Sequence, residues 1–522
     1  MTQQTDNPLV NALLNAAPQT KLVETHISWV LLTGDFVYKI KKPVDFGFLN
    51  FTTLEKRKFY CEEEVRLNRR LAPDLYLDVL SITGTAENPT IGGDGEAIEF
   101  AIKMKQFPEE GLMDRLASSG EINAGLIDKL ADAIAVFHGE IAIAQADNPL
   151  GMADSVQAPV TQNFEQILPL LSNDKERTEL KQIEAWSNNQ FQALKPTLDA
   201  RHLNGFIREC HGDLHLGNIV VIEGQPVLFD CIEFNDEFRW TDVMNEIAFI
   251  VMDLMMRDLK GYAFRLLNRY LEKTGDYEGV ALLNYYITYR AMVRAKIARF
   301  TMGHMSEGSP EQQQQIEQYQ SYINLALQIS NDKKPLLMIT HGLSGSGKSF
   351  VSSMILEEVG AIRVRSDIER KRLTGFEPLA KTKSDLDGGI YGPETGQKTY
   401  KRLLELAEIV VQSGYPVIID ATFLKQTDRA TQQQLAEKLD ANFMILNTEA
   451  PVEKLEQFIA QRAKVNKDPS EADLAVLAKQ LKKRELLTEA EKQATLTLDS
   501  SGLPETRDEV LLLVRSHIKS VT

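Results

Sequence analysis

The sequence predicts two domains in tandem: an α+β domain of two lobes over residues 1–330, then an α/β domain with a parallel sheet over residues 331–522. Three observations carry this prediction. Residues up to about 105 read as strands around one helix, forming a small lobe, and open with a hairpin pattern. Residues 106–330 are mostly helical, interrupted by a second hairpin, and form a large lobe. Beyond residue 335, short apolar runs alternate with helical stretches, the pattern of a parallel sheet covered by crossover helices. A length of 522 residues is ample for each domain to bury its own core.

In chain order, a short helix is expected at 8–16. Residues 22–26, 29–33 and 36–41 read as strands, the last two joined by a turn at Gly34-Asp35, and Pro43 ends the third. A charged helix at 53–71 carries Glu62, Glu63 and Glu64. Strands at 76–82 and 97–104 flank the turn former Gly92-Gly93-Asp94-Gly95. Helices are expected at 112–117, 122–139, 163–168 and 174–195, and then the chain changes character. Residues 205–210 lead into His211-Gly212-Asp213-Leu214-His215-Leu216-Gly217-Asn218, followed by strands at 219–222 and 226–230 around Gly224. Long helices return over 240–299. Tyr286, Tyr289, Arg290, Arg294 and Lys296 on the last of them could line an acceptor pocket or form a solvated face. After a break at 303–315 a helix runs to 329, and Asn331-Asp332-Lys333-Lys334-Pro335 reads as a linker.

In the second domain, strands are expected at 336–340, 361–365, 416–420, 443–447 and 494–498, with helices between them at 398–413 and 452–464 among others. The first strand runs into Gly342-Leu343-Ser344-Gly345-Ser346-Gly347-Lys348-Ser349, and a helix follows at 350–358. Strand, glycine loop and helix in this order suit phosphate binding. Glycines let successive N–H groups turn inward, and the helix adds the positive end of its dipole. Lys348 can reach the β- and γ-phosphates, and the Ser349 hydroxyl can ligate Mg²⁺. Asp367 and Arg370, three apart on a helix beginning at Ser366, share one face. They suit a base and a holder of an anion, but taken alone the pair reads better as a helix cap and a surface ion pair. Asp420 ends an apolar strand and could order Mg²⁺ or cap the strand. Arg462, in Gln461-Arg462-Ala463-Lys464 before Asp468, could close over phosphates or lie on a solvated face.

The loop at 342–349, Arg365-Ser366-Asp367-Ile368-Glu369-Arg370 and Val417-Ile418-Ile419-Asp420-Ala421-Thr422 together resemble the small P-loop kinases that include polynucleotide kinases and zeta-toxin-like kinases. The resemblance covers roughly 335–522. It implies that Gly342, Ser344, Gly345, Ser346, Gly347, Lys348 and Ser349 bind nucleotide, with Ser349 and Asp420 on the metal. Asp367 is then the base, Arg370 an anion-holding partner and Arg462 the lid arginine. The acceptor does not transfer with the resemblance.

In the first domain, Asp213 and Asn218 lie five residues apart before one hairpin strand, and Asp230 is expected to end its partner. One Asp near an acceptor hydroxyl, with an Asn and a second Asp on Mg²⁺, is the logic of a kinase-type site. This stretch resembles the aminoglycoside phosphotransferase family over about 20–300, which implies a protein-kinase-like fold. By that resemblance Lys39 grips the α- and β-phosphates, with Lys41 on the same strand face as the alternative. Glu64 is its ion-pair partner, in competition with Glu62 and Glu63, and residues 99–104 form the hinge near adenine. Three features depart from the pattern: no G-x-G-x-x-G covers the phosphates, Cys231-Ile232-Glu233 follows Asp230, and Leu216 replaces a frequent proline. The first two exclude an ordinary protein kinase and fit a small-molecule kinase better.

The net charge of -16 argues against a generic nucleic-acid or anionic-membrane surface. Three distant cysteines, Cys61, Cys210 and Cys231, have neither disulfide nor metal-ligand spacing and suit a reducing cytoplasm. Residues 1–6 lack the pattern of a signal peptide, and the apolar stretch 247–256 contains Asp253 and is too short to span a bilayer. Domain order resembles the bacterial bifunctional aminoglycoside phosphotransferase/ATP-binding proteins. The expectation is a cytoplasmic phosphotransferase using ATP and Mg²⁺ at two nucleotide sites. Its acceptor would be a hydroxyl group of a small or nucleotide-like molecule. The alternatives are a nucleotide-binding regulatory protein, and a C-terminal ATPase that drives rearrangement of the first domain.

Overall fold

The structure, a computed structural model, describes all residues except 1–4, 18, 332–333, 383–387, 466–468, 504 and 522, and gives the backbone alone at 463–465 and 519–521. Asp332 and Lys333 of the expected linker, Asp468 and the first four residues therefore lie outside the described residues. Contacts divide the chain into two compact units, residues 1–160 with 195–253 and residues 161–194 with 254–522. Residues 254–330 thus group with the C-terminal sheet, on the far side of the boundary expected at 330/331.

The first unit opens with a six-stranded antiparallel sheet of β1 (Lys21–Glu24), β2 (Ser28–Leu32), β3 (Phe36–Lys41), β4 (Tyr76–Gly84), β5 (Pro89–Ile91) and β6 (Ala97–Lys105), in the order β1-β2-β3-β6-β4-β5. Gly34, at φ +103°, makes the tight turn between β2 and β3. The helix Leu54–Asn68, its first turn capped by the Thr53 hydroxyl, lies against β4 and β6. Cys61 and Val65 of that helix meet Val37, Tyr76, Ile102 and Met104 in one apolar core. Residues 99–104 are not a hinge. They sit in the interior strand β6, with β3 paired on one side and β4 on the other, so their backbone groups serve the sheet.

Further on, β7 (Ile207–Glu209) and the hairpin β8 (Ile219–Ile222) and β9 (Gln225–Leu228) frame the loop at 211–218. Glu223 and Gly224 both have positive φ, as a two-residue hairpin turn of right twist requires. Residues 240–242, expected to be helical, instead form β10 (Trp240–Asp242), antiparallel to β7. The next helix starts only at Val243, and the Asp242 carboxylate accepts the Met244 N–H there at 2.8 Å.

The second unit is built on five parallel strands: β11 (Leu336–His341), β12 (Ile362–Arg365), β13 (Val417–Asp420), β14 (Asn442–Glu449) and β15 (Thr495–Asp499). Their order is β12-β13-β11-β14-β15, with the strand feeding the glycine loop at the centre. Strand β12 is an edge, and a helix closes it. From the helix Lys260–Thr274, Asn268 Nδ2 donates to Ala361 O at 2.8 Å and Asn268 Oδ1 accepts Arg363 N–H at 2.6 Å. The Tyr277 hydroxyl then donates to Arg363 O at 3.2 Å, so side chains pair the backbone that an open edge would expose. On the next helix, Val280–Met302, Tyr286, Tyr289 and Arg290 are buried, which rules out the solvated face for them; Arg294 and Lys296 are half-buried. Among the described residues, no helix is long and apolar enough to cross a membrane.

Candidate active sites

The first site is assembled on β3. Alternate strand residues share a face, and both Lys39 and Lys41 reach Glu64 on the facing helix. Lys39 Nζ is 2.8 Å from Glu64 Oε1, and Lys41 Nζ is 2.6 Å from Glu64 Oε2. Glu62 and Glu63 instead meet Lys58 and Arg66 on the helix surface. Lys39 continues to Asp230 Oδ1 at 2.8 Å, whereas Lys41 is paired with Glu233 and lies 4.8 Å from the centre of the Phe51 ring. Burial pulls both lysines down, but the carboxylates outweigh it: Asp230 and Glu64 for Lys39, Glu233 and Glu64 for Lys41. Both ammoniums are held above their usual range. Burial raises Glu64, and the two lysines overcome it, so this carboxyl sits well below its usual value. At Glu233 the balance is reversed: burial wins against Lys41 and its carboxyl is raised. Lys41 lies between two carboxylates, and at Glu233 the nearby Glu64 charge adds to burial in raising the carboxyl.

The loop at 211–218 is held from below. Gly212, at φ +90°, has its N–H accepted by Glu246 Oε1 at 2.7 Å, and Glu246 Oε2 is 2.8 Å from His138 Nε2. Leu216 N–H donates to Asp253 Oδ2 at 2.9 Å, and the His211 ring meets Phe229 O at 2.8 Å. On this support Asn218 Nδ2 donates to Asp213 O at 3.0 Å and to Asp213 Oδ2 at 3.2 Å. Nothing among the described residues donates to Asn218 Oδ1. Asp230 lies two residues beyond the end of β9 rather than at its end, in the left-handed region at φ +65°. Its N–H donates to the Tyr76 hydroxyl at 3.2 Å, and its carboxylate is 44% exposed. Such a conformation is costly for a residue other than glycine and concentrates at functional sites. The Asn218 amide oxygen and the Asp230 carboxylate are hard oxygen donors of the kind Mg²⁺ takes.

The second site lies at the carboxyl ends of the parallel strands, where open α/β sheets bind ligands. Gly342, Gly345 and Gly347 have φ of +144°, +85° and +79°. A Cβ at Gly345 would fall 2.8 Å from Leu455 O, so the loop admits only glycine there. Lys348 Nζ donates to Gly342 O at 3.0 Å and Leu343 O at 2.7 Å, and Ser344 N–H is taken by Gln480 Oε1 at 2.8 Å. Ser346 and Thr448 hydroxyls meet at 2.7 Å. Lys348, Ser349, Asp367, Arg370, Asp420 and Arg462 all line one cavity of about 1300 Å³. That exceeds the roughly 300–1,000 Å³ of a usual small-molecule pocket, leaving room for a nucleotide and a second molecule. Arg370 Nη1 donates to Asp367 Oδ1 at 2.8 Å across one helical turn. Burial raises the Asp367 carboxyl, but Arg370 and Arg365 outweigh it and hold it below its usual range. Arg462 donates to Ala472 O. Ser349 and Asp420 supply the hydroxyl and carboxylate oxygens that Mg²⁺ takes.

Residues 60–283 match the family model described as Phosphotransferase enzyme family, and residues 337–487 match the one described as AAA domain. The chain joins a phosphotransferase-family domain to a P-loop domain. Uncharacterized proteins of Mycobacterium tuberculosis (strain ATCC 25618 / H37Rv) and Mycobacterium bovis are each 28% identical over 480 residues, 91% of this chain and 93% of theirs. Among solved structures, amicoumacin kinase hAmiN in complex with AMP-PNP, Ca²⁺ and Ami is 14% identical at a TM-score of 0.39, covering 61% of this chain and 94% of that one. The APS kinase CysC of Mycobacterium tuberculosis is 17% identical at a TM-score of 0.26, covering 35% and 98%.

Several residues around the phosphotransferase-family site escape a reading of the sequence. Glu233 balances the second strand lysine, Tyr76 holds the backbone at Asp230, and Glu246 with His138 supports the Gly212 turn. One signal was present for Glu233: two lysines on one strand face need more than one carboxylate. In the P-loop domain the unforeseen residues are Arg365 and Lys371. Lys371 is wholly buried and donates to Pro469 O at 2.7 Å, tying the Asp367 helix to the segment that follows Arg462.

Proposed function

We propose that the chain is an ATP- and Mg²⁺-dependent kinase with two phosphoryl-transfer sites. Each transfers the γ-phosphate to a hydroxyl of a small or nucleotide-like acceptor. One observation carries this reading. Each compact unit brings together a lysine, a group of hydroxyl, amide or carboxylate oxygens, and a further carboxylate. In the first set, Lys39 steadies the α- and β-phosphates, Asn218 and Asp230 hold the metal, and Asp213 orients the acceptor hydroxyl. In the second, Gly342, Ser344, Gly345, Ser346 and Gly347 cradle the phosphates, Lys348 grips them, and Ser349 and Asp420 hold the metal. Asp367 and Arg370 there face the acceptor, and Arg462 closes over the transferring group. Bound Mg²⁺ neutralises charge building on the phosphate oxygens. The division at 330/331 and a cytoplasmic location belong to the same proposal. No bilayer or generic nucleic-acid partner is part of it.

A binding-only regulatory role is the second reading, and the Asp367 geometry favours it. A carboxylate locked by arginines is a weak base, although phosphoryl transfer depends more on positioning than on proton removal. Purified protein with Mg-ATP should release ADP. Lys348→Ala should lower both ADP release and ATP affinity, whereas Asp213→Ala should lower turnover and spare affinity. ATP binding with turnover unchanged in both variants would leave only the regulatory reading. A metabolite screen for ATP-dependent phosphorylated products identifies the acceptor.

A further inference from the structure

We infer that Glu272, a residue of the phosphotransferase-family segment, is a positioning residue for the P-loop site, acting through Arg363 and Arg365. The inference rests on the reading that this site binds nucleotide with Mg²⁺. Glu272 is 8% exposed, on the helix that closes the β12 edge. Its Oε1 accepts from Arg363 Nε at 3.1 Å and Nη2 at 2.7 Å. Arg363 Nη1 then donates to Ser349 O at 3.1 Å, Ser352 Oγ at 3.1 Å and Ser353 Oγ at 2.6 Å, gripping the first turns of the P-loop helix. The other carboxylate oxygen, Glu272 Oε2, is 3.9 Å from Arg365 Nη1. Arg365 Nε in turn is 3.7 Å from Asp420 Oδ2, and its Nη2 is 3.5 Å from Ser349 Oγ. Arg363 and Arg365 are alternate residues of β12 and share a face, so one carboxylate serves both.

A guanidinium between two carboxylates rests where their attractions balance. Here the two are nearly equidistant from Arg365, Glu272 at 3.9 Å and Asp420 at 3.7 Å. Removing the Glu272 charge leaves Arg365 to the carboxylates of the site alone, Asp420 at 3.7 Å together with Asp367, which it already attracts. Arg365 then closes on the carboxylate that the cation needs, and Arg363 loses the partner that aims it at the Ser349 turn. The metal side of the site is lost and the phosphate cradle stays.

The test uses full-length protein carrying Lys39→Met, which silences the first site, with AMP-PNP binding followed by calorimetry at graded Mg²⁺ and in EDTA. Glu272→Gln is expected to weaken Mg²⁺-dependent binding roughly 10- to 100-fold, the usual effect of losing a residue that orients a metal ligand. Binding in EDTA is unchanged. Adding Arg365→Gln to Glu272→Gln removes the guanidinium that closes on Asp420 and recovers most of the lost Mg²⁺-dependent binding, and a double variant as weak as Glu272→Gln overturns the inference. Asn268→Ala, on the same helix, lowers the melting temperature without moving the Mg²⁺ dependence. Unchanged Mg²⁺ dependence in Glu272→Gln overturns the inference. So does an equal loss with and without Mg²⁺, or a shift matched by Asn268→Ala. If Glu272→Gln does not fold, Glu272→Asp decides, since it keeps the charge but draws it back from both guanidiniums, and binding of Mg-AMP-PNP like the parent's overturns the inference. A parent that binds no AMP-PNP overturns the nucleotide reading itself.

Discussion

Lys39 and Lys41 stand two residues apart, share Glu64, and do different things. Lys41 is wholly buried between Glu64 and Glu233, while Lys39 is 14% exposed and touches Asp230 in the open part of the site. Lys41→Met would strand the buried Glu233 carboxylate and leave Glu64 to Lys39 alone, and breaking such a pair from one side costs about 3–5 kcal/mol. Lys39→Met should instead weaken nucleotide binding while moving the melt little. Thermal melts and nucleotide titrations of the two variants separate the roles, and equal melts would refute the distinction. Glu246 gives a pH signature. Burial raises its carboxyl, but the His138 contact and the Gly212 N–H outweigh that and hold it below the usual range. A depressed carboxyl stabilises the fold above its unfolded value of about 4.3, and that contribution is lost as pH falls through the folded value. Glu246→Gln should therefore cost about 1.5–3 kcal/mol at pH 7. Its stability should fall less steeply than the parent's below about pH 4.5, and equal acid slopes in pH-dependent melts would sink this. At this scale the sequence showed the two lysines on one face and the Asp213, Asn218 and Asp230 set. It signalled the need for a second carboxylate but not that Glu233 supplies it, because Lys41 and Glu233 are 192 residues apart and meet only through the fold.

Elements were legible where burial is uniform and obscure where a neighbour decides. Strands β11, β13 and β14 are apolar and largely buried, so each announces itself, as does the strand-loop-helix at 336–359, whereas β15 is half polar and mostly not buried. Strand β10 was hidden because Trp240-Thr241-Asp242 become a strand only by pairing with β7. The residues 99–104 were misplaced as a hinge for a similar reason: their strand character was evident, but not that β3 and β4 would flank them on both sides. Covering of β12 was the least legible feature, since nothing in Asn268 or Tyr277 alone says that they pair with a strand edge. Asn268→Ala leaves Ala361 O and Arg363 N–H without those bonds in a buried place. Each unsatisfied buried group costs about 1–3 kcal/mol, so the loss should be at least about 2 kcal/mol. Chemical denaturation of the full chain measures it, and a change below about 0.5 kcal/mol would mean that the edge is closed by packing alone.

For the whole molecule, the family segments and the compact units divide the chain differently. The phosphotransferase match runs to residue 283, yet residues 254–283 group with the P-loop sheet. Sequence reading follows descent and patterning, and so sets its boundary at the polar stretch near 331, whereas burial follows the β12 edge. The two proposed site sets nevertheless fall cleanly: Lys39, Asp213, Asn218 and Asp230 in one unit, Lys348, Ser349, Asp367 and Asp420 in the other. Sites that share no partner change independently, and parallel reactions add as rates rather than as free energies. ADP release by Lys348→Ala then reports the first site alone, and release by Asp213→Ala reports the second. At saturating Mg-ATP the two residual rates should sum to the unsubstituted rate, and the double variant should release none. A sum well below the unsubstituted rate would mean that each site needs the other intact, as in a protein whose P-loop domain drives its neighbour. A sum well above it would mean mutual restraint, and either departure would replace two independent kinases with one coupled machine.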